Sequence, residues 1–280
     1  MLFQPQTIVI DHFCRELEAS YALCYGKTSI PYDEIAVWAA HLALENIANS
    51  SSLYHNSEHT MLVTAVGQSI LQGKHLLEGG VTPEAWFHFT VATLFHDIGY
   101  LRGICRGDNG ERCVIDSRGT AVAIPPSGTD AALTPWHVMR SQIFVRERFA
   151  HTLDGRIDCE RICDYIEMTR FPIPKEERYA DSHSYGGLVR AADLIGQLGD
   201  PNYLRKVPAL FYEFEELGYN RQFGYRTPKE MRDNYGRFYW REISPYIGEA
   251  LRCLRVTQQG RQWIATLHAH LFDIEHDGAE

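Results

Sequence analysis

Apolar residues recur at three- and four-residue spacing along nearly the whole chain, and strict alternation closed by hairpin turns is missing. That period builds amphipathic helices rather than a sheet, so the expected class is all-α. In "YDEIAVWAAHLALENIA" it sets Ile35, Trp38, Ala39, Leu42 and Ala43 on one stripe. "VTPEAWFHFTVATLFHDIG" opens with Thr82 as N-cap and Pro83 at the first helical position and closes at Gly99, which puts His96 and Asp97 at the end of a buried helix. The same start signal predicts helices from Thr134 and Pro135 and from Asp200 and Pro201, and further helices are expected over residues 157–169, 183–197, 228–252 and 256–275.

Residues 102–133, rich in Gly, Asp and Pro, carry no helical stripe. A loop of this length is either functional, here a lid over a site, or an ordinary surface insertion, and length alone does not choose between them. The 280 residues, 45% hydrophobic, suffice for one core, and a single domain over 1–280 is expected, with the chemistry within about 33–250.

A formal charge of −9 argues against a nucleic-acid polymer as partner, though a small anionic ligand remains compatible with it. No basic, apolar leader opens the sequence and no run of about 18 apolar residues occurs, so no membrane partner is expected and the expected location is the cytoplasm. The seven cysteines include no short-spaced CxxC pair and are read as reduced thiols.

Chemistry concentrates at three places. "YHNSEHT" sets His55 and His59 four apart at a helix entrance, a pair that by itself suits capping and packing as well as a site. In "VATLFHDIGY" the adjacent His96 and Asp97 end an apolar helix, where burial is costly without a partner; a divalent cation is an economical one. In "LVRAADLIGQLGDP" Asp193 lies in an apolar run, and taken singly it reads first as salt-bridged, to Arg190, or solvent-facing, and only then as a ligand.

In order, His59, His96 with Asp97, and Asp193 resemble the ligand set of the HD-domain superfamily of metal-dependent phosphohydrolases. Within it, "YHNSEHT", "YIEMTRFP" and "LVRAADLIGQLGDP" are similar to segments of the cyclic-nucleotide phosphodiesterases, over roughly residues 50–250. The resemblance implies a multi-helix bundle holding one or two divalent ions (Zn, Mg, Mn or Fe). His59, His96, Asp97 and Asp193 would be the ligands, with Asp97 reaching toward a second ion. It also implies hydrolysis of a small, nucleotide-like phosphate ester, possible cyclic nucleotides included, by metal-activated water with His55 as general acid. A histidine outside the ligand set can keep the proton that this role needs.

The chain departs from that pattern at Tyr100, which stands where those enzymes carry another histidine. In "DNYGRFYWREISPYIG" Phe238 falls at the purine-stacking phenylalanine and Tyr235 at the purine-reading glutamine. His137 and His183 resemble, in order, the extra ligands of two-metal HD proteins, although each read singly is a solvated or backbone-bonded histidine. Two alternatives follow: a di-iron oxygenase, which needs both of those histidines, and a ligand-binding sensor without turnover. A homo-oligomer stays open.

Overall fold

In the computed structural model, which describes residues 4–150 and 157–276, helix α4 (Pro83–Phe95) is buried on every side from Trp86 through Phe95. Around it lie α1 (Pro5–Tyr25), α2 (Tyr32–Ile47), α3 (Ser57–Glu78), α5 (His137–Phe149), α6 (Cys159–Glu167) and α7 (Tyr185–Leu198). The remainder is α8 (Tyr203–Glu216), α9 (Tyr219–Phe223), α10 (Pro228–Asp233), α11 (Tyr235–Phe238), α12 (Ser244–Leu254) and α13 (Gln258–His276). The fold is all-α, apart from one two-stranded hairpin among the described residues. Among the described residues no helix is long and apolar enough to cross a membrane.

A helix apolar on all faces has to be the centre of its layer. The few polar groups of α4 are answered locally: Thr90 donates to Trp86 O at 2.7 Å, and His88 accepts from the Asp158 N–H at 3.0 Å. Thr82 caps the start, accepting from the Ala85 N–H at 3.1 Å. Helix α3 begins under Asn56, whose Oδ1 accepts from the N–H groups of Glu58 and His59 at 3.0 and 3.2 Å. It packs along α7, where Gly196 meets Val63.

Four expectations are corrected. The buried face of α2 is Ala36, Ala39, Ala40, Ala43, Leu44 and Ile47, whereas Trp38 is 49% exposed. Alanines admit a closer approach to α4 than the indole would, and Trp38 instead meets the edge of Phe149. Thr134 does not start α5: it ends a 3-10 turn, Asp130–Leu133, and donates to Ala131 O, so the helix begins at His137. Asp200 likewise caps a turn, accepting from the Asn202 N–H and Lys206, and α8 begins at Tyr203. The single helix expected over 228–252 is broken into α10, α11, a π-helical turn Tyr239–Ile243, and α12. Pro245, in the first turn of α12, has no N–H to continue an i→i−4 ladder.

Residues 102–133 fold back as a hairpin, Arg112–Val114 against Ala121–Ala123, with a small core of Cys113, Ile124 and Leu133. Arg140 of α5 fastens it: fully buried, its guanidinium reaches Asp108 with two bonds (3.0 and 2.8 Å) and donates to the carbonyls of Gly99, Leu101 and Val114. All seven cysteines are free.

Candidate metal centre

Three helices deliver the expected side chains to one point. His59 lies in the first turn of α3, His96 at the C-cap of α4 with Asp97 next to it, and Asp193 in the middle of α7. The ligand atoms of His59, His96 and Asp193 lie within 4.8 Å of one another. Asp97 Oδ2 is 3.2 Å from His96 Nε2 and 3.5 Å from His59 Nε2; Asp193 Oδ1 is 3.5 and 3.4 Å from the same nitrogens. His59 and His96 are 4% and 1% exposed, and Asp97 is buried with them.

The tautomer of His96 is set by its other nitrogen. Nδ1–H donates to Thr93 O at 2.8 Å, leaving a lone pair on Nε2 in the neutral ring, aimed at two carboxylates. His96 Nε2 and Asp97 Oδ2 are both buried and neither has a hydrogen-bond partner, an arrangement of acceptors that a cation would satisfy. Two imidazoles and two carboxylates make a donor set suited to a borderline or hard divalent ion. Where a proton takes the place of such a cation, burial alone would lower the His96 pKa, but the charges of Asp97 and Asp193 outweigh it and lift it well above the ordinary value. Burial would raise both carboxylates, and the His96 charge overrides it, holding Asp97 below its ordinary range and Asp193 at about 2.

Arg190 is not the partner of Asp193. It turns the other way, donating to Tyr179 O and Asp181 O at 2.6 and 2.9 Å with its guanidinium over the Tyr246 ring.

His137 joins the group and His183 does not. His137 Nδ1–H donates to Thr134 O at 2.6 Å, and its Nε2 lies 3.7 Å from Asp97 Oδ1, so the two oxygens of Asp97 face different histidines. A bridging carboxylate has this arrangement. His183 sits just before Ser184, the N-cap of α7, with its side chain 79% exposed and 3.5 Å from Glu249. It stands ten residues before Asp193 and ahead of the α7 cap, and is corrected to a surface residue.

His55 stands outside the ligand set. Its Nδ1 is 2.5 Å from Oε2 of the buried Glu213 on α8, whose Oε1 also accepts from the Tyr54 and His55 N–H groups. Burial would lower the His55 pKa, but the Glu213 charge and hydrogen bond carry it to about 9. Tyr100 stacks between His55 and His137, with ring centroids at 4.6 and 4.4 Å. Tyr100 thus separates the His55 ring from the His137 side of the centre. Neither Glu213 nor this stacking was anticipated. The available signal was a carboxylate on the apolar stripe of "ALFYEFEEL", the same signal that singled out Asp193.

The centre opens into a cavity of about 390 Å³, lined by His55, Asp97, Asp193 and His137 at one end and by aromatic side chains beyond. Phe238 lines it, with its ring 5.8 Å from Phe171. Tyr235 also lines it, but its hydroxyl lies toward Leu198 O and Leu267 O. None of residues 102–133 lines the cavity.

No curated protein and no solved structure matches the chain. A family model described as Npun_R2479-like matches residues 3–277, nearly the full length. The chain belongs to the Npun_R2479-like family.

Proposed function

We propose that this protein is a metal-dependent phosphohydrolase, a phosphodiesterase acting on a small phosphate ester, with a nucleotide-like ester as one class of substrate. The observation that carries the reading is the meeting of His59, His96, Asp97 and Asp193 around buried, unpartnered acceptor atoms, with His55, bonded to Glu213, just outside them. Those four residues would hold one divalent ion, and Asp97 with His137 would help to hold a second. Bound there, the cations would lower the pKa of water toward about 7 and offset charge on phosphoryl oxygens.

The protein's own part is orientation and proton delivery. Glu213 accepts from His55 Nδ1, which fixes the ring and leaves Nε2 as the nitrogen that serves the cavity. Held cationic by Glu213, His55 can give a proton to a departing alkoxide. A non-catalytic sensor has no need of such an acid. A di-iron oxygenase is the weaker reading, because His183, the second extra ligand it calls for, lies at the surface. Seven free cysteines fit a reducing compartment, and we place the protein in the cytoplasm.

The test is metal analysis of the purified protein followed by turnover assays with cyclic nucleotides, nucleoside monophosphates and bis(p-nitrophenyl) phosphate in the presence of Mn²⁺, Mg²⁺, Zn²⁺ or Fe²⁺. Hydrolysis that disappears with chelation is expected. Metal-loaded protein that cleaves none of these esters would count against the proposal.

A further inference from the structure

The cavity is larger than a phosphoryl group requires, and its volume of about 390 Å³ falls in the range of roughly 300–1,000 Å³ typical of pockets for whole organic ligands. Its wall away from the metal centre is supplied by α8, α9 and the segment after them. Phe214, Tyr219, Phe223 and Tyr225 form one aromatic group, with centroid separations of 5.8–6.3 Å. Phe223 is 40% exposed while lining the cavity, so its ring leaves apolar surface there that a ligand would cover.

Several polar groups in this wall are turned to one another or to the main chain. Asn234 Nδ2 donates to the Tyr225 hydroxyl at 2.6 Å, the Gln197 amide N–H faces the Tyr203 hydroxyl at 3.4 Å, and the Tyr235 hydroxyl lies toward main-chain carbonyls. A site that reads the edge of a nucleobase keeps hydrogen-bond donors free for it. Here the amides of Asn234 and Gln197, the groups suited to a base edge, are engaged, the cations Arg237 and Arg241 line the cavity from exposed positions, and ring faces are left.

We infer that the ester's organic group is a bulky, uncharged aromatic alcohol seated against Phe214, Tyr219 and Phe223, and that the site favours it over a nucleoside. This rests on the phosphohydrolase reading, which places the phosphoryl group at the other end of the same cavity.

The experiment is calorimetric titration of the Mn²⁺-loaded protein with methyl-, phenyl- and 1-naphthylphosphonate and with the phosphonate analogue of adenosine monophosphate, none of which is hydrolysed. Affinity is expected to rise roughly 10-fold or more from methyl to phenyl and again toward naphthyl, as buried apolar area dictates after the cost of association, and to exceed that of the nucleoside analogue. Phe223→Ala should flatten the series; Tyr219→Ala is the second variant if the first does not fold. A flat series in the native protein, or tighter binding of the nucleoside analogue, overturns the inference and leaves the phosphohydrolase reading intact. A rising series that is the same after chelation supports the aromatic chamber while overturning the metal-dependent reading.

Discussion

Gly196 lies against the main chain of Val63: a Cβ on the glycine would fall 2.8 Å from Val63 Cα and 3.0 Å from its nitrogen. The contact is one turn past Asp193 on α7 and one turn past His59 on α3, so the closeness of the two helices at this point sets the 3.4 Å between those ligands. Gly196→Ala should force the helices apart, costing about 1–3 kcal/mol as overpacking does and weakening divalent-cation binding at the same time. Thermal unfolding and Mn²⁺ titration check the two effects. A variant that loses stability but binds Mn²⁺ as the native protein does would show that the ligands do not depend on this contact.

Glu213 holds one nitrogen of His55, and His55 itself lines the cavity. His55→Ala should leave metal content intact while activity falls roughly 10²- to 10⁴-fold, the usual worth of a general acid. Glu213→Gln removes the charge that opposes burial, so the pKa of His55 falls and the alkaline limb of the pH–rate profile moves to lower pH. The sign follows from the acid having to be protonated: a lower pKa empties it sooner as pH rises. Loss of metal on changing His55 would mean that it is a ligand instead.

Asp193 carries a carboxylate into an apolar helix and, with Arg190 turned away, the imidazoles are what it faces. Asp193→Asn should weaken metal binding by roughly 10²-fold or more, since even residues behind the ligands are worth 10- to 100-fold. In the native protein, Mn²⁺ at 100 times its dissociation constant should add about 2.7 kcal/mol of stability, and a chelator should remove it. Unfolding curves that do not respond to Mn²⁺ in either protein would argue that nothing binds there.

Much of this centre was legible because each ligand breaks a local rule. His96 and Asp97 end a helix that is apolar all round, and Asp193 interrupts another such run. Helix starts were less legible. Thr134 and Asp200 carry the right residue types, but both cap tight turns just ahead of their helices, a choice made by hydrogen bonds to residues already nearby. Trp38 shows the limit of periodicity: spacing placed it on a stripe, and which side of α2 faces α4 depends on how closely alanines can pack. His183 had order along the chain in its favour and a place ahead of the α7 cap against it. Glu213 pairs with a residue 158 positions away, and no pattern within a single segment joins the two.

A buried ion pair fastens the insertion after the His96–Asp97 turn to α5. Asp108 and Arg140 are 2.8 Å apart, with side chains 1% and 0% exposed. Burial would raise the Asp108 pKa, but its hydrogen bonds to Arg140 and to the Val114 N–H prevail and hold it below the ordinary carboxylate value. A carboxylate lowered in the folded state contributes stability that is fully present above its unfolded pKa of about 3.9 and is lost as pH falls through the folded value. Asp108→Asn leaves the Arg140 charge buried without its counter-charge, which at neutral pH should cost about 3–5 kcal/mol. The gap between native and variant proteins should therefore be widest at neutral pH and shrink as the pH falls through about 4, where the carboxylate of the unfolded chain takes up a proton that the folded one does not, until the folded value is passed. Urea unfolding at several pH values measures it. A gap that widens on acidification would reverse the sign and show that Asp108 is not held ionised by Arg140.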